Sequence, residues 1–456
     1  MSLTSLLSIA RSALLTQQKA IDTTGHNIAN ASTDGYTRQR LRLGAADPLV
    51  TPIGQLGRGV VAEGIDRIRD QFLDVSYRKE NGDFSRFATQ RDLLGGIEGI
   101  FGEPSDTGLA AALDGFWSAF GDLANDPTGQ APRELVRQAG ADIARRFQQA
   151  DSRLSEAQAS VIAQMESRVD EVNEIMREIA DLNTRIRSVS AGQREAPDVK
   201  DQRDRLIDRL SSIVGVRVLS RTDGTVGVAA GDALLVDAGQ FTAFEVRDLG
   251  NGRYGVGVKG GIGTINVQSG ELGALAELSG TTLPDIRAQL DALARGLVTE
   301  VNALHRGGKN LAGATGIDFF NPTGLTAASF QLSVALTTST DNIAAGASGG
   351  VGDNSVALAL AGLRTAGAAS FGGQPVGTAY QKLVSRLGVQ LRDATDKATA
   401  QEAVVNHVDG LRKSVSGVSV DEELTNLIAQ QNAFAAAARM VTVADEMMQS
   451  VIGMVG

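Results

Sequence analysis

Apolar residues recur at heptad spacing at both ends of this chain. The N-terminal ladder has the large apolar members Leu3, Leu7, Leu14, Ile21 and Ile28. Its remaining positions are occupied by Ala10, Gln17 and Thr24. A C-terminal ladder, with Asp445 also in the row, consists of Leu424, Leu427, Gln431, Phe434, Ala438, Val441, Met448, Ile452 and Val455. Heptad spacing keeps one stripe of a helix against a partner helix. We therefore predict that the two ends pair as coiled-coil helices and that the chain doubles back on itself.

The terminal segments carry few charges outside these ladders. Residues 1–33 contain only Arg11, Lys19 and Asp22 as formal charges, whereas residues 133–209 are densely charged. A helix with Ala, Ser, Thr, Gln and Asn on all sides suits enclosure by neighbours better than exposure to water. Ordering each residue costs about 1 kcal/mol or more in backbone entropy, so a lone pair of such helices is marginal. We predict that residues 1–33 and 420–456 are disordered in the monomer and become ordered on assembly.

Helical periodicity dominates the chain between its ends. It predicts helices over residues 71–95, 109–125, 132–190, 197–210, 283–305 and 379–413, the third being one long helix or two stacked ones. In residues 132–190, charged pairs at i and i+4 surround an apolar stripe, which is typical of a soluble coiled coil with one face against a partner. These segments predict a bundle of long helices.

The period changes to two after Gly215. Residues 216–228 read as a hairpin around Asp223-Gly224, and further strands separated by glycines follow through Val267. Short strands are also predicted at 41–43, 60–61, 65–68 and 330–336. The segment 321–375 has the weakest hydrophobic periodicity in the chain. The fold predicted is mainly α with a smaller β domain, in a nested and discontinuous arrangement. The helical domain comprises 34–215 and 271–419, and an antiparallel β domain is inserted at 216–270.

Composition narrows the function classes. The chain has 456 residues, a net charge of -10, 4% aromatic residues and no cysteine. The acidic balance, without clustered Lys and Arg, argues against nucleic-acid binding, and the lack of cysteine excludes disulfides and thiolate sites. No apolar run is long enough for a transmembrane helix. The start of the chain has no basic region before its apolar residues, which predicts export without a cleavable signal peptide.

Candidate catalytic, cofactor and metal sites are lacking in the sequence. His26, His305 and His407 have no metal-ligand spacing, so a surface or packing role is predicted for each. The glycines at 255, 257 and 260 form a GxGxxG pattern followed by strand-like residues, which favours turns in a β domain over a dinucleotide site. The aspartates at 201, 204 and 208 alternate with arginines on one helical face, which predicts a solvated ion-pair surface.

Polar residues also interrupt the terminal ladders. Gln17, Gln431 and Asp445 are either ordinary imperfections or devices that fix register. A buried polar group penalises each alignment in which it lacks a partner. On the second interpretation, Gln431→Leu tightens helix association and loosens its specificity.

The sequence from Asn27 to Gln39 resembles the N-terminal signature of bacterial flagellar rod, hook and hook-associated proteins. The residues that carry this resemblance are Asn27, Ile28, Ala29, Asn30, Thr33, Gly35 and Tyr36. Residues 430–448 resemble the C-terminal signature of the same family. Internal segments at 201–207, 301–307, 316–320 and 352–355 are similar to the hook-associated members.

This resemblance implies an inner tube of terminal coiled coils, a flanking helical domain and an outer β domain. It also implies a structural protein of the extracellular flagellum, exported by the type III apparatus with the help of a cytosolic chaperone. The implied role is an adaptor ring at the hook–filament junction that is needed for filament attachment and transmits torque. Its implied partners are other copies of the chain, the hook protein and a second junction hook-associated protein, with no cofactor.

Three other interpretations remain open at the level of sequence. A hook or distal-rod subunit is the nearest, but such subunits lack the helix-rich stretch at 133–209. A secreted coiled-coil effector or adhesin has no need of a turn at 30–36 joined to a C-terminal ladder. An enzyme requires an acid or metal cluster that the sequence does not display.

Overall fold

A computed structural model describes residues 3–51, 54–192, 195–350 and 352–455. The two ends of the chain form helices α1, Leu3–Ala29, and α11, Val420–Val455, which pack against each other. Their direction is antiparallel, because Asn27 contacts Glu423 while Thr24 contacts Gln430. The chain therefore doubles back on itself as the ladders predict.

A small β region connects α1 to the body. Strand β1, Gln39–Ala45, pairs antiparallel with β4, Val60–Arg67, and a short ribbon of β2, Leu49–Thr51, and β3, Gly54–Leu56, extends from them. Both long strands lie against α1. The predicted strands at 41–43 and 60–68 thus belong to one two-stranded sheet.

The body is a bundle of long helices. Its members are α2, Gln71–Phe101; α3, Leu109–Asn125; α4, Gln130–Ala191; α5, Pro197–Ile213; α6, Gly270–Glu277; α7, Leu283–Gly307; and α10, Val376–Ser416. Residues 132–190 therefore lie in one continuous helix of 62 residues. A π-helical turn at Leu278–Thr282 joins α6 to α7, just before Pro284, which has no N–H to continue the hydrogen-bond ladder.

The β region inserted between α5 and α6 consists of two antiparallel sheets. One has four strands in sequential order, β5, Arg217–Ser220; β6, Val226–Ala230; β7, Ala233–Asp237; and β8, Gln240–Phe241. The other pairs β9, Phe244–Gly250, with β10, Arg253–Val258. The predicted hairpin is confirmed, with Gly224 at φ +79° in its turn. The glycines at 255 and 257 lie in β10 and Gly260 in the following turn, so the GxGxxG pattern belongs to β structure.

The described residues between 308 and 375 contain only short elements. These are α8, Val334–Thr338, α9, Ser355–Gly362, and two 3-10 turns, Thr340–Asn342 and Ala369–Phe371. The predicted strand at 330–336 was wrong: Leu332 forms an isolated bridge with Phe320, and Ser333 then caps α8 by accepting from the Leu336 N–H. The core behind these elements is aromatic, with Phe116, Phe120, Phe147, Phe319, Phe320 and Phe330 fully buried.

Candidate functional site: the joint between the terminal helices and the body

Asn27 is the centre of a buried hydrogen-bond cluster at the end of α1. Its Nδ2 donates to the Gln39 carbonyl at 2.8 Å and to Glu423 Oε2 at 3.0 Å. Its Oδ1 accepts from the Gln39 N–H at 3.0 Å and from the Tyr36 hydroxyl at 2.8 Å. The amide side chain thus uses both donors and both acceptor positions. Asn27 therefore connects α1, the loop after it, β1 and α11. We call the region where these elements meet α5 the joint.

The loop that follows α1 is fixed by its own side chains. Asn30 Nδ2 donates to the His26 carbonyl at 3.0 Å, and Thr33 Oγ1 donates to Asn30 Oδ1 at 3.2 Å. Gly35 has φ +70°, and a Cβ there collides with the Arg205 side chain. Both the positive φ and the close approach explain why glycine occupies this turn.

Tyr36 completes the turn as a hydrogen-bond donor. Its ring lies edge-on to His26 with centroids 5.5 Å apart. Burial, together with the carboxylates of Asp198, Asp201 and Glu423, raises the pKa of Tyr36 well above its usual value. The hydroxyl therefore stays protonated and continues to donate to Asn27.

The C-terminal half of the chain enters the joint through the first turn of α11. Arg38 binds Glu422 at 2.8 Å and Glu423 at 2.7 Å, and the Arg38 N–H donates to the Ser416 carbonyl at 2.9 Å. Glu423 is only 2% exposed. Both carboxylates also lie in the first turn of a helix, where the dipole favours negative charge.

Helix α5 provides the third side of the joint. Asp201 accepts from the Thr37 N–H at 3.0 Å, from Thr37 Oγ1 at 2.7 Å and from Arg67 at 2.7 Å. Asp201 and Asp204 are 4% and 8% exposed, so the prediction that the three aspartates form a solvated surface was wrong. Only Asp208 is partly exposed.

The carboxylates of Asp201, Asp204 and Asp208 are paired with arginines from other parts of the chain. Arg67 also binds Asp204 at 2.7 Å, Arg69 binds the same carboxylate, and Asp208 binds Arg78 at 2.6 Å. From α10, Arg412 binds Asp208 at 2.5 Å and Asp74 at 3.0 Å. Burial alone raises the pKa of Asp204, but Arg69, Arg67 and Arg78 together lower it to about 2. The carboxylate is therefore ionised in the folded protein at neutral pH.

The contacts of Asn27, Arg38 and Asp201 at the joint are polar. The continuous apolar core of the body begins with Leu94, and among the described residues none from α1 or α11 belongs to it. The terminal pair has its own small set of buried positions, which includes Ala10, Ala20, Ala437 and Ala444. Hydrogen bonds and ion pairs, which depend on geometry, thus hold the terminal helices to the body.

The N-terminal ladder lies on α1, and its member Thr24 contacts Gln430 of α11. Its large members are partly buried, namely Leu3, Leu7, Leu14, Ile21 and Ile28. Of the other signature residues, Asn27 is buried, Asn30 and Tyr36 are partly buried, and Ala29, Thr33 and Gly35 are exposed. The signature residues therefore form the turn at the joint.

The C-terminal ladder is divided between two faces of α11. Leu427, Ala438, Val441 and Met448 are partly buried, whereas Leu424, Gln431, Phe434, Asp445 and Ile452 are exposed. The fully buried residues of α11 are Glu423, Ala437 and Ala444. Each lies one residue before a predicted ladder position, namely 424, 438 and 445. The side chain of Val455 lies outside the described residues.

The polar contact within the helix pair is made by Gln430. Thr24 Oγ1 donates to Gln430 Oε1 at 3.0 Å, whereas Gln431 is exposed in the single chain. The polar contact between α1 and α11 in the single chain therefore does not use Gln431, and its interpretation as a register device in assembly stays untested. That Gln431 belongs to a helix contact between neighbouring copies of the chain stays a prediction.

Sequence reasoning missed several residues of the joint. Arg38, Glu423, Arg67 and Arg412 were not singled out, because their partners lie far away in sequence. One signal was available in the sequence: Glu422 and Glu423 lie just before the C-terminal ladder, and Arg38 lies just after the turn that follows the N-terminal ladder.

The histidines occupy different environments. His26 lies at the joint, 3.3 Å from Asp198, and His407 is exposed on α10. His305 is buried and has the packing role predicted: its Nδ1 donates to the Ile317 carbonyl at 2.7 Å, and its Nε2 accepts from the Ala344 N–H at 2.9 Å. Burial lowers the pKa of His305 to about 4.

Neither a metal-binding cluster nor a membrane-spanning helix is found among the described residues. Within them, no group of three or more His, Asp or Glu side chains is arranged to hold a metal ion. In the same ranges, no helix is both long and apolar enough to cross a membrane.

Three family models match parts of the chain. "Flagella basal body rod protein" matches residues 7–37, "Flagellar hook-associated protein FlgK helical domain" matches 94–320, and "Flagellar basal body rod FlgEFG protein C-terminal" matches 414–454. The first and last matches include the two sides of the joint. The middle match contains the long helix α4 and the inserted strands.

Two relatives and one solved structure extend this comparison. Flagellar hook-associated protein 1 of Bacillus subtilis is 32% identical over 497 residues, covering 99% of this chain and 98% of that protein. The protein of that name from Salmonella typhimurium is 28% identical over 331 residues, which are 70% of this chain and 60% of the relative. The structure of the flagellar hook junction protein FlgK from Burkholderia pseudomallei has a TM-score of 0.66 at 15% identity, covering 75% of this chain and 100% of that chain, and supports the fold. The chain belongs to the flagellar hook-associated protein 1 family.

Proposed function

We propose that this chain is a structural adaptor of the flagellar axis, forming a ring between the hook and the filament. The observation that carries the proposal is the joint, in which Asn27 of the N-terminal signature contacts Glu423 in the first turn of α11. Family membership supports assembly into an axial structure, and the family is a structural one. The proposal therefore assigns a mechanical role and no catalysis.

The terminal helices are suited to the inner part of such an assembly. Large apolar side chains on α11 face outward in the single chain, namely Leu424, Ile428, Val451, Ile452 and Met454. Exposed apolar surface of this extent on one helix is typical of an interaction face. We infer that neighbouring copies enclose it, and that the terminal segments gain most of their order at that step.

The joint is suited to torque transmission. A load applied to α1 and α11 reaches the body through Asn27, Arg38 and Asp201, each of which has two or more partners on other elements. Contacts with several partners resist both twisting and pulling. The finer partners we propose are the hook protein, a second junction hook-associated protein, an export chaperone and the type III export apparatus.

A hook or rod subunit has less support as an alternative. The continuous helix α4 lies within the segment that matches the helical domain of hook-associated proteins. We also propose an extracellular location in the flagellum, because the matching helical domain is that of a flagellar hook-associated protein.

Gene deletion tests this role directly. Cells that lack the gene are expected to carry hooks without filaments and to release filament protein into the medium, as seen by electron microscopy and by analysis of the culture fluid. The unaltered gene restores attached filaments. Normally attached filaments in the deletion strain contradict the proposal.

Variants of the joint then test the mechanism. Asn27→Leu removes four hydrogen bonds at the centre of the joint and is expected to reduce attached filaments strongly. Lys382→Gln, on an exposed site of α10, is the matched control and is expected to restore them fully. Equal restoration by both variants, at equal secreted amounts, contradicts a mechanical role for the joint.

A further inference from the structure

A groove beside the joint is lined by an excess of basic side chains. It has a volume of about 550 Å³ and lies between β4, α2, α5 and the β5–β6 hairpin. Its acidic lining residues are Asp66, Asp74, Glu195 and Asp204. Its basic lining residues are Arg67, Arg69, Arg78, Lys200, Arg203 and Arg221.

Most of these cations already have carboxylate partners. Lys200 binds Glu195 at 2.5 Å and Arg221 binds Asp237 at the rim. Within the buried network, the arginines at 67, 69, 78 and 412 are balanced by the aspartates at 74, 201, 204 and 208. The charge left without a carboxylate at hydrogen-bond distance is that of Arg203.

Arg203 is a buried cation with neutral partners. It is 4% exposed, and its Nη1 donates to Asn183 Oδ1 at 3.1 Å and to the Gly224 carbonyl at 2.9 Å. Its Nε has no hydrogen-bond partner, and the closest carboxylate oxygen, on Asp204, is 3.8 Å away. A buried guanidinium whose hydrogen-bond partners are neutral, and whose carboxylate neighbour is beyond hydrogen-bond distance, is costly.

The electrostatic environment of Arg203 agrees with this geometry. The pKa of Arg203 is lowered to about 10, mainly by burial; Asp204 opposes this lowering, and the positive charges of Arg67, Arg78 and Arg69 add to it. The side chain is still charged at neutral pH. The groove in front of it therefore has a positive potential that its own carboxylates do not cancel.

We propose that this groove binds a small free oxyanion of the phosphate class, which supplies the missing negative charge. Guanidinium groups donate parallel hydrogen bonds that match two oxygens of such an anion, which distinguishes it from chloride. The bound anion connects α5 to the β5–β6 hairpin through Arg203. Its binding stabilises the folded chain by mass action.

Titration of the purified full chain with inorganic phosphate tests the proposal. At constant ionic strength, with chloride as the compensating anion, phosphate is expected to bind saturably in calorimetry and to raise Tm. Arg203→Met is expected to weaken phosphate binding about tenfold, the size of one lost charge-assisted hydrogen bond. Arg295→Met, at an exposed position of α7 away from the groove, makes the same charge change and is expected to leave binding unaltered.

Several outcomes overturn the proposal. One is the absence of saturable phosphate binding by the unaltered chain, and another is equal binding by Arg203→Met. Should Arg203→Met fail to fold by circular dichroism, the rim variant Lys200→Gln with Arg221→Gln decides. Weakened phosphate binding by this rim variant supports the site, and unchanged binding overturns it.

Discussion

The helical body and the terminal helix pair bury different kinds of side chain. In the body, aromatic residues such as Phe116 and Phe319 are completely enclosed and contact one another. Between α1 and α11, the buried positions are mainly alanines and threonines, while Leu424 and Ile452 are 45% and 71% exposed. The body thus encloses its large apolar residues within one chain, whereas the terminal pair leaves many of them uncovered.

This difference suggests a division of labour within the molecule. The body encloses one continuous apolar core, so we expect it to fold without the terminal pair. The terminal pair has small buried residues and a polar joint, so its stability depends on whatever covers its outer face. The following predictions test this contrast, starting with the largest effect.

Removing an aromatic ring from the body is expected to have the largest effect. Phe116→Ala leaves a cavity among four aromatic neighbours and should lower the free energy of unfolding by about 3–5 kcal/mol. The matched change in the terminal pair, Leu424→Ala, should alter it by less than about 0.5 kcal/mol in the monomer. Urea unfolding followed by circular dichroism measures both. Similar losses of unfolding free energy in the two variants contradict the proposed difference between the body and the terminal pair.

The buried His305 of the body makes its stability depend on pH. The folded state holds the pKa of His305 at about 4, below the unfolded value near 6.5, so the unfolded state binds more protons between these values. Stability is complete above about pH 6.5 and falls as pH is lowered towards 4, by roughly 3 kcal/mol from this residue. Urea unfolding from pH 7 to 4 should show a steeper loss in the unaltered chain than in His305→Gln. Parallel pH profiles contradict the prediction.

Weakening the joint should affect the terminal pair more than the body. Asp201→Asn removes the charge that binds Arg67 and one acceptor position used by Thr37, at a cost of about 1–3 kcal/mol. We expect faster hydrogen exchange in α1 and the loop after it, with little change in α3. An Asp170→Asn control, at an exposed site on α4, should leave both unaltered. Equal acceleration in α1 and α3 shows that the joint is part of the body's cooperative unit.

The smallest effects are expected from the two neighbouring glutamines of α11. Gln430→Leu removes the partner of Thr24 and should cost about 1 kcal/mol, whereas Gln431→Leu should change monomer stability by less than about 0.5 kcal/mol. In assembly the order reverses, because Gln431 faces outward, and Gln431→Leu is expected to tighten association and loosen its specificity. Sedimentation of both variants measures assembly. If Gln431→Leu leaves assembly unchanged, Gln431 is not part of the predicted seam.

The elements predicted best were those with local signals. Helix α3 begins and ends where its apolar period and flanking residues indicate, at Leu109 and Asn125. The Asp223-Gly224 turn likewise identifies its hairpin. In both, nearby residues alone determine the structure.

The errors come from contacts between distant parts of the chain. Asp201 and Asp204 are paired with arginines that lie more than a hundred residues earlier, which the spacing along α5 does not reveal. In α11, the large residues at 424 and 452 drew the predicted stripe towards the outer face, whereas small alanines form the inner one. At 330–336, the capping hydroxyl of Ser333 and the buried core decided between strand and helix.

The central claim is that the terminal pair completes its folding when other copies enclose it. Hydrogen exchange of the purified monomer and of the assembled state, read by mass spectrometry, measures this most directly. We predict rapid exchange in α1 and α11 of the monomer, slow exchange in α3 and α7, and strong protection of all four helices after assembly. Protection of α1 and α11 in the monomer equal to that of α3 and α7 contradicts the claim.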